Sequence, residues 1–161
     1  MSELSGLASR LGGLLKERQE TLAVAESSAG GLISAALLAV PGASAYFLGG
    51  AVVYTQVARR ALLRVADESV AGIRSSTEAY ALLKARTIRT QLGATWGLAE
   101  TGASGPTGNR YGDAAGHACL AVAGPLERVV TVETRDGDRE RNMWAFAKAA
   151  LELLETALPG R

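Results

Sequence analysis

Several residue types that often mark a protein's class are scarce in this chain. A single cysteine, Cys119, excludes a disulfide within the chain and leaves too few thiols for a thiolate zinc site. Seventeen basic and 16 acidic residues give a net charge of +1, so no broad basic surface points to nucleic acid. No apolar run approaches the roughly 20 residues that span a bilayer. We therefore predict no nucleic-acid partner, no membrane attachment and no bound metal.

The remaining composition is typical of one globular domain. Apolar residues make up 48% of the chain, which is enough to form a core. The length of 161 residues fits a single domain. The first 20 residues mix charges with leucines and lack the basic-then-apolar order of a signal peptide. We therefore predict a cytoplasmic enzyme or binding domain.

The pattern of apolar residues predicts alternating helices and strands. Leucines and alanines at helical spacing indicate a first helix over 3–20, and short continuous apolar runs are typical of buried strands. The predicted strands cover 21–25, 50–55, 96–100, 116–123 and 128–134, and the further helices cover 31–40, 56–64, about 77–92 and the segment after 138. A hairpin through Gly124-Pro125 joins the last two strands. We predict an α/β fold, a three-layer α/β/α sandwich whose mixed, mostly parallel sheet has an antiparallel edge.

Two helix starts carry capping residues. Ser75 and Glu78 have the spacing of a capping box, in which each side chain satisfies a backbone donor of the other residue. Asp138 is placed to cap the final helix. We predict that these residues set the first turns of the two helices.

The segment 21–31, TLAVAESSAGG, is the strongest candidate for a site. An apolar strand ends in Glu26, Ser27 and Ser28, and Gly30 and Gly31 then open a helix. Such a turn leaves backbone N–H groups unpaired and available to an anion. An ordinary helix cap needs one hydroxyl, whereas two hydroxyls and a carboxylate stand here. The segment has neither the Gly-Lys-Ser/Thr of a nucleoside-triphosphate loop nor a GxGxxG fingerprint.

A second glycine-rich segment, TGASGPTG over 101–108, follows a predicted buried strand. Glycines such as Gly102 and Gly105 allow the backbone to approach a ligand closely. The composition suits a phosphate or sugar contact, and it suits an ordinary surface loop equally well. We predict that this segment faces Ser27 and that the two together enclose a small phosphorylated ligand.

Three other side chains are candidates for the same site. Tyr54 and Arg59 follow the second strand, and Arg139 stands at the start of the last helix. Arginine binds phosphate or carboxylate through a bidentate fork, although a solvated helix face or a cap also explains such arginines. Tyr111, in the predicted loop over 101–112, could also stack on a ring.

His117, the only histidine, alternates with Cys119 in an apolar strand pattern. A lone histidine or cysteine in such a strand favours a structural role.

Four stretches of the chain together resemble the C-terminal domain of the competence/damage-inducible CinA family. They are AESSAGGLISAALLAVPGASAYFLGGAVVYT at 25–55, TGASGPTG at 101–108, DAAGHACLAVA at 113–123 and GDRERN at 137–142. The segment PGASAYFLGG, together with AESxxGG, is the most specific of these matches. The resemblance implies one CinA C-terminal-like domain over 1–161, without the N-terminal molybdopterin-binding-like domain of longer members.

Active members of this family are nicotinamide-nucleotide amidohydrolases. The resemblance therefore implies hydrolysis of the carboxamide of nicotinamide mononucleotide to nicotinic acid mononucleotide and ammonia, a step of NAD recycling, without metal or cofactor. By position, Ser27 matches the proposed nucleophile, Tyr54 a residue beside the ring and Arg139 a phosphate-binding arginine. The predicted substrate-binding set is Glu26, Ser28, Ala29, Gly30, Gly31, Thr101, Gly102, Gly105 and Arg139. The family tends to associate, and the sequence is compatible with a homo-oligomer and with a monomer.

Two residues and one segment depart from the family pattern. Ala29 stands where the family has threonine, and the segment DAAGH at 113–117 replaces Lys-Pro-Val-Gly-Thr. Arg59 stands where the family has a lysine proposed to activate the serine. Because arginine stays protonated it is a poor general base, so Arg59 would orient a carbonyl or bind phosphate instead. Glu26 or His117 would replace the base only where the geometry allows.

Two functions follow from these matches and departures. The first is a working amidohydrolase in which Ser27 attacks the amide and Tyr54 and Arg59 assist. The second is a catalytically degenerate member that retains the nucleotide pocket and serves as a binding or assembly module. A different amide or nucleotide substrate is a further alternative that retains Ser27.

Overall fold

The computed structural model describes residues 2–158 as a five-stranded sheet flanked by helices. The helices are α1 (Ser2–Arg18), α2 (Leu32–Leu38), α3 (Gln56–Ala58, continued by a π turn over Arg59–Leu63), α4 (Glu78–Leu92) and α5 (Arg139–Ala157). The strands are β1 (Leu22–Glu26), β2 (Phe47–Val52), β3 (Trp96–Ala103), β4 (His117–Ala123) and β5 (Arg128–Glu133). All the predicted helices and strands are present in the predicted order. Among the described residues, no helix has the length and apolar character to cross a membrane.

The strands are arranged in the order β2-β1-β3-β4-β5. β1 pairs in parallel with β2 and β3, whereas β4 pairs antiparallel with β3 and β5. The predicted mixed sheet with an antiparallel edge is confirmed, with as many antiparallel as parallel pairs. Because β1, β2 and β3 are parallel, their carboxyl ends meet at one edge of the sheet, where ligands bind in open α/β folds.

The two faces of the sheet differ in side-chain size. One face carries large apolar residues that pack with α1, α2 and α5: Leu22, Val24, Trp96, Leu98, Leu120 and Val122. The other face carries mainly small residues that pack with α4: Ala23, Ala25, Ala99, Cys119, Ala121 and Ala123. Alternate residues of a strand point to opposite faces, so the repeated Leu/Val–Ala pattern specifies both layers. Helix α4 lies very close to the sheet, since a Cβ atom at Gly97 would stand 2.0 Å from the carbonyl oxygen of Ala85.

Two strand boundaries differ from the sequence prediction. β2 covers Phe47–Val52 instead of 50–55, because its two glycines lie inside the strand. A Cβ atom at Gly50 would stand 2.5 Å from the Ser34 hydroxyl oxygen, so glycine there admits α2 beside the strand. β3 continues to Ala103 because its pairing with β4 continues, which places Thr101 and Gly102 in a strand instead of a loop.

One of the two predicted caps is wrong and the other is confirmed. The hydroxyl of Thr77, not that of Ser75, accepts the Tyr80 N–H at the start of α4. Ser76 adopts a positive φ of 60° and donates its N–H to Thr101, so the chain enters the helix only after Ser76. Asp138 accepts the Arg141 N–H and caps α5 as predicted.

Candidate active site

A cleft of about 420 Å³ opens at the carboxyl ends of β1 and β3. Ser27, directly after β1, and Thr101 and Gly102, near the end of β3, line the cleft together. The prediction that the two glycine-rich segments face each other is therefore confirmed. The other lining residues come from the end of β2, the segment before α4, the first turn of α4 and the loop after β3: Val53, Tyr54, Thr55, Gln56, Ser75, Ser76, Tyr80, Asn109, Arg110 and Tyr111.

The lining of this cleft contains aromatic side chains and has no carboxylate. It includes three tyrosines and Arg110, and none of its residues is Asp or Glu. The Arg110 guanidinium lies 5.0 Å from the centre of the Tyr111 ring and donates to the Tyr111 hydroxyl at 2.9 Å. This hydrogen bond lowers the pKa of Tyr111. Flat rings beside an arginine suit an aromatic ligand that carries negative charge.

The helix N-terminus after β1 is capped from within the chain. Glu26 is fully buried, and its Oε1 accepts the N–H groups of Gly31 at 3.0 Å and Ile33 at 2.9 Å. Its Oε2 accepts the N–H of Ser34 at 2.9 Å. The expectation of unpaired N–H groups open to an anion is therefore wrong, because a side-chain carboxylate already occupies them. With both oxygens engaged, Glu26 is not placed to act as a base.

A second buried carboxylate, Glu100 in β3, binds the same turn. Its Oε2 accepts the N–H groups of Ser27 and Ala29, both at 2.9 Å. Lys84 of α4 is also fully buried and donates from Nζ to the carbonyl oxygen of Glu100 at 2.8 Å. Burial raises the pKa of Glu100, an effect that the positive charge of Lys84 partly offsets. Burial lowers the pKa of Lys84 to about 8, against the attraction of Glu100 and Glu26.

Sequence reasoning missed this buried pair. The signals were a lysine on the apolar stripe of α4, between Ala81 and Ile88, and a glutamate within the apolar strand WGLAE. Long charged side chains are almost never fully buried without a partner, so each was a pointer to the other.

The two serines of the turn have different environments. Ser28 is buried, and its hydroxyl donates to the carbonyl oxygen of Gly102 at 2.7 Å, which ties the two glycine-rich segments together. Ser27 is half-buried and lines the cleft, and its hydroxyl makes no hydrogen bond to another residue in 2–158. The hydroxyl that is free to meet a ligand therefore belongs to Ser27.

Other residues of the predicted binding set shape the turn rather than the cleft wall. Gly30 and Gly31 have φ values of 67° and 99°, which favour glycine, and Ala29 is fully buried. Of the predicted site residues in the two glycine-rich segments, Ser27, Thr101 and Gly102 line the cleft. The others do not line it: Glu26, Ser28, Ala29, Gly30, Gly31 and Gly105.

A hydrogen-bonded chain supports the wall opposite Ser27. The Thr101 hydroxyl oxygen accepts the N–H of Ser76 at 3.1 Å, and the carbonyl oxygen of Ser76 accepts from Nε2 of His117 at 2.8 Å. Nδ1 of His117 lies 2.5 Å from the Glu133 carboxylate. His117 and Cys119 are 7% and 2% exposed, which agrees with their predicted structural roles. Since both ring nitrogens are engaged, His117 is not a free base.

Arg139 connects the loop after β3 with the aromatic wall. One terminal nitrogen donates to the carbonyl oxygen of Gly105 at 2.6 Å. The other donates to the Tyr54 hydroxyl at 2.9 Å. The predicted residues Tyr54, Gly105 and Arg139 are therefore brought together, and of these Tyr54 lines the cleft whereas Gly105 and Arg139 do not.

Arg59 lies apart from Ser27. It lines an adjoining cleft of about 310 Å³, which shares Gln56, Ser75, Tyr80 and Tyr111 with the first. Its side chain is buried, donates from Nε to the carbonyl oxygen of Val65 at 3.3 Å and pairs with Asp67. Arg59 thus anchors the chain after α3. Within 2–158, no group of three or more His, Cys, Asp or Glu residues is placed to hold a metal ion.

Comparison with known proteins places this chain in one family. The family model described as the CinA C-terminal domain matches residues 4–158. The chain is 41% identical to a CinA-like protein of Cyanothece sp. (strain PCC 7425 / ATCC 29141) over 154 residues, which is 96% of this chain and 37% of that protein. It is 37% identical to a CinA-like protein of Salinibacter ruber over 142 residues, 88% of this chain and 34% of that protein. The chain therefore spans about a third of the length of these relatives.

Solved structures extend the match to the whole fold. The competence damage-inducible protein A (ComA) of Klebsiella pneumoniae superposes with a TM-score of 0.90 at 28% identity, covering 96% of each chain. The CinA superfamily protein of Escherichia coli superposes with a TM-score of 0.89 at 26% identity, covering 96% of this chain and 90% of that one.

Proposed function

This chain belongs to the CinA C-terminal domain family, and from that premise we propose that it hydrolyses the carboxamide of nicotinamide mononucleotide, with Ser27 as nucleophile. The observation that carries the proposal is the cleft itself, in which the free hydroxyl of Ser27 shares a wall with three tyrosines and Arg110 but with no carboxylate. A pyridine ring with one phosphate has the shape and charge that such a lining accepts.

The reaction would proceed in two steps, through an ester between Ser27 and the substrate carbonyl. The Ser27 oxygen attacks the carboxamide carbon, the carbon–nitrogen bond breaks, and ammonia leaves with the serine proton. Water then hydrolyses the ester to release nicotinic acid mononucleotide and restore the hydroxyl. Tyr54 lies in the cleft with Arg139 on its hydroxyl, so this pair would hold the ring and the phosphate at one end. The cytoplasm would supply the substrate.

We expect purified protein to release ammonia from nicotinamide mononucleotide. Because the ligand binds only the folded state, we also expect it to raise the melting temperature by roughly 5 to 10 °C at about a hundred times its Kd. Nicotinamide riboside, which lacks the phosphate, is the matched control and should give a smaller rise. Ammonia assay and thermal-shift titration provide the two readouts. If the mononucleotide gives no ammonia and no rise in melting temperature, the proposal is contradicted.

A second function is favoured by the position of Arg59. The residue at the family's lysine position is engaged by Asp67 and lines the adjoining cleft instead of the Ser27 cleft. A chain without a base near Ser27 would bind the nucleotide without hydrolysing it, and would serve as a binding or assembly module. A ligand-induced rise in melting temperature without ammonia would support this function.

Arg59→Lys separates the two functions. If Ser27 acts without Arg59, the substitution should leave the rate of ammonia release within about threefold of wild type, since Arg59 has no contact with the Ser27 turn. Steady-state kinetics on the folded variant measures this. Ammonia release that appears only in the variant would instead support the degenerate member, because lysine can lose a proton that arginine retains.

A further inference from the structure

A buried carboxylate that does not line the cleft binds the backbone of the turn over 27–29, which carries Ser27. Glu100 is fully buried and is absent from the cleft lining, yet its Oε2 takes the N–H groups on both sides of Ser28, those of Ser27 and Ala29. Its Oε1 is a buried oxygen with no hydrogen-bond partner among the described residues. Such an oxygen is costly to bury, so the contacts of Oε2 have to compensate for it.

A single ammonium, that of Lys84, lies between two buried carboxylates, Glu100 and Glu26. Lys84 reaches the Glu100 carbonyl oxygen from α4, and Glu26 ends the neighbouring strand β1 beside it. Lys84 attracts both carboxylates, and this attraction lowers the pKa of Glu100 against the effect of burial. A carboxylate that accepts two N–H groups is favoured in its charged form. The turn, the carboxylate and the ammonium therefore form one unit.

We propose that Glu100, balanced by Lys84, is a positioning residue for Ser27: its Oε2 fixes the backbone on both sides of Ser28 and so directs the Ser27 hydroxyl into the cleft. This inference rests on the proposed function, in which Ser27 is the nucleophile. The same contacts have a second consequence. The N–H groups of Ser27 and Ala29 are occupied, so the oxyanion of the tetrahedral intermediate has to be stabilised by other donors in the cleft.

Two double variants test the role of the acceptor atom. Lys84→Met/Glu100→Gln and Lys84→Met/Glu100→Met both lack the charges of Lys84 and Glu100, and Glu26 is the same in both. Their side chains at position 100 have the same length. Glutamine retains an oxygen that can accept both N–H groups, whereas methionine offers no comparable acceptor. We expect the glutamine variant to retain kcat within about threefold of wild type. The methionine variant should lose about a hundredfold in kcat with KM within about twofold, because misplacement by about 1 Å has that effect on a reacting group.

Equal kcat values in the two double variants would overturn the proposal, whether both are high or both are low. Should the methionine variant not fold, Lys84→Met/Glu100→Asn withdraws the acceptor by one carbon and provides the same comparison. If wild-type protein releases no ammonia, the proposed function fails, and amide hydrogen exchange decides the positioning role instead. The Ser27 and Ala29 amides should then exchange at least about tenfold faster in the methionine variant than in the glutamine variant. Equal exchange rates would overturn it.

Discussion

Ser27→Ala is expected to lower ammonia release from nicotinamide mononucleotide by at least about a thousandfold, while the Kd for the ligand stays within about threefold of wild type. The reason is local. The Ser27 hydroxyl lines the cleft and has no hydrogen-bond partner among residues 2–158, so its removal takes away the attacking atom without breaking a described contact. Turnover measured by ammonia release and affinity measured by thermal-shift titration provide the two numbers.

Ser28→Ala is the matched control for this experiment. It also removes a hydroxyl from the same turn, but this hydroxyl is buried and donates to the Gly102 carbonyl oxygen. We expect a loss of stability of about 1 to 3 kcal/mol, because the carbonyl loses its partner, with a smaller loss of turnover than in Ser27→Ala.

Retention of more than a tenth of the wild-type rate in Ser27→Ala would exclude Ser27 as the nucleophile.

Lys84→Met should lower the free energy of unfolding by about 3 kcal/mol at pH 7, because it leaves the fully buried Glu100 without its ammonium. Lys84→Met/Glu100→Gln should recover most of this loss, since replacing a buried pair with uncharged groups of similar size is often neutral or stabilising. Urea unfolding of the single and the double variant measures both values. Lys148→Met, at an exposed position of α5, is the control and should change stability very little.

The decrease in the free energy of unfolding caused by Lys84→Met should also depend on pH. The folded-state pKa of Glu100 is raised above 4.5 by burial, and loss of Lys84 removes an influence that lowers it. Between 4.5 and the raised value the folded state binds more protons than the unfolded state, so stability falls as pH rises through that window. The loss of stability in Lys84→Met should therefore be smaller at pH 5 than at pH 7. The same deficit at both values would show that Glu100 does not titrate there.

In wild-type protein, the titration of Lys84 changes stability in the opposite direction, so that stability rises with pH. Its folded-state pKa of about 8 lies below the ordinary 10.5, so the unfolded state holds more protons between these values. Stability contributed by this group is present above 10.5 and is lost as pH falls through about 8.

Most of the fold was predictable because its signals are local. Period-two alternation of large residues with alanine in β1 and β4 specifies two faces of unequal depth, and the apolar periodicity of α1 and α5 specifies helices that cover the deeper face. The errors fell where tertiary contacts override local preference. The second strand was predicted over 50–55 but covers Phe47–Val52, and Gly50 within it admits the Ser34 side chain of α2.

The candidate site was predictable in outline and not in its electrostatics. Ser27, Tyr54 and Thr101 were identified from motifs and resemblance, and the structure places them in one cleft. Tyr111, which was predicted to be able to stack on a ring, lines the cleft. Arg110 beside it was missed, because an arginine in a polar loop has no sequence signal for the direction that its side chain takes.

The sequence by itself determined the layers, the strand order along the chain, the two glycine-punctuated turns and the family, since these depend on periodicity, turn chemistry and short motifs. Only the tertiary structure decided which donors and acceptors meet. Glu26 and Glu100 accept the N–H groups that the sequence predicted to be unpaired. Lys84 of α4 donates to the Glu100 carbonyl oxygen, and Arg59 pairs with Asp67. Burial strengthens the contacts of Glu26, Glu100 and Lys84, and burial depends on residues brought together from different elements of the chain.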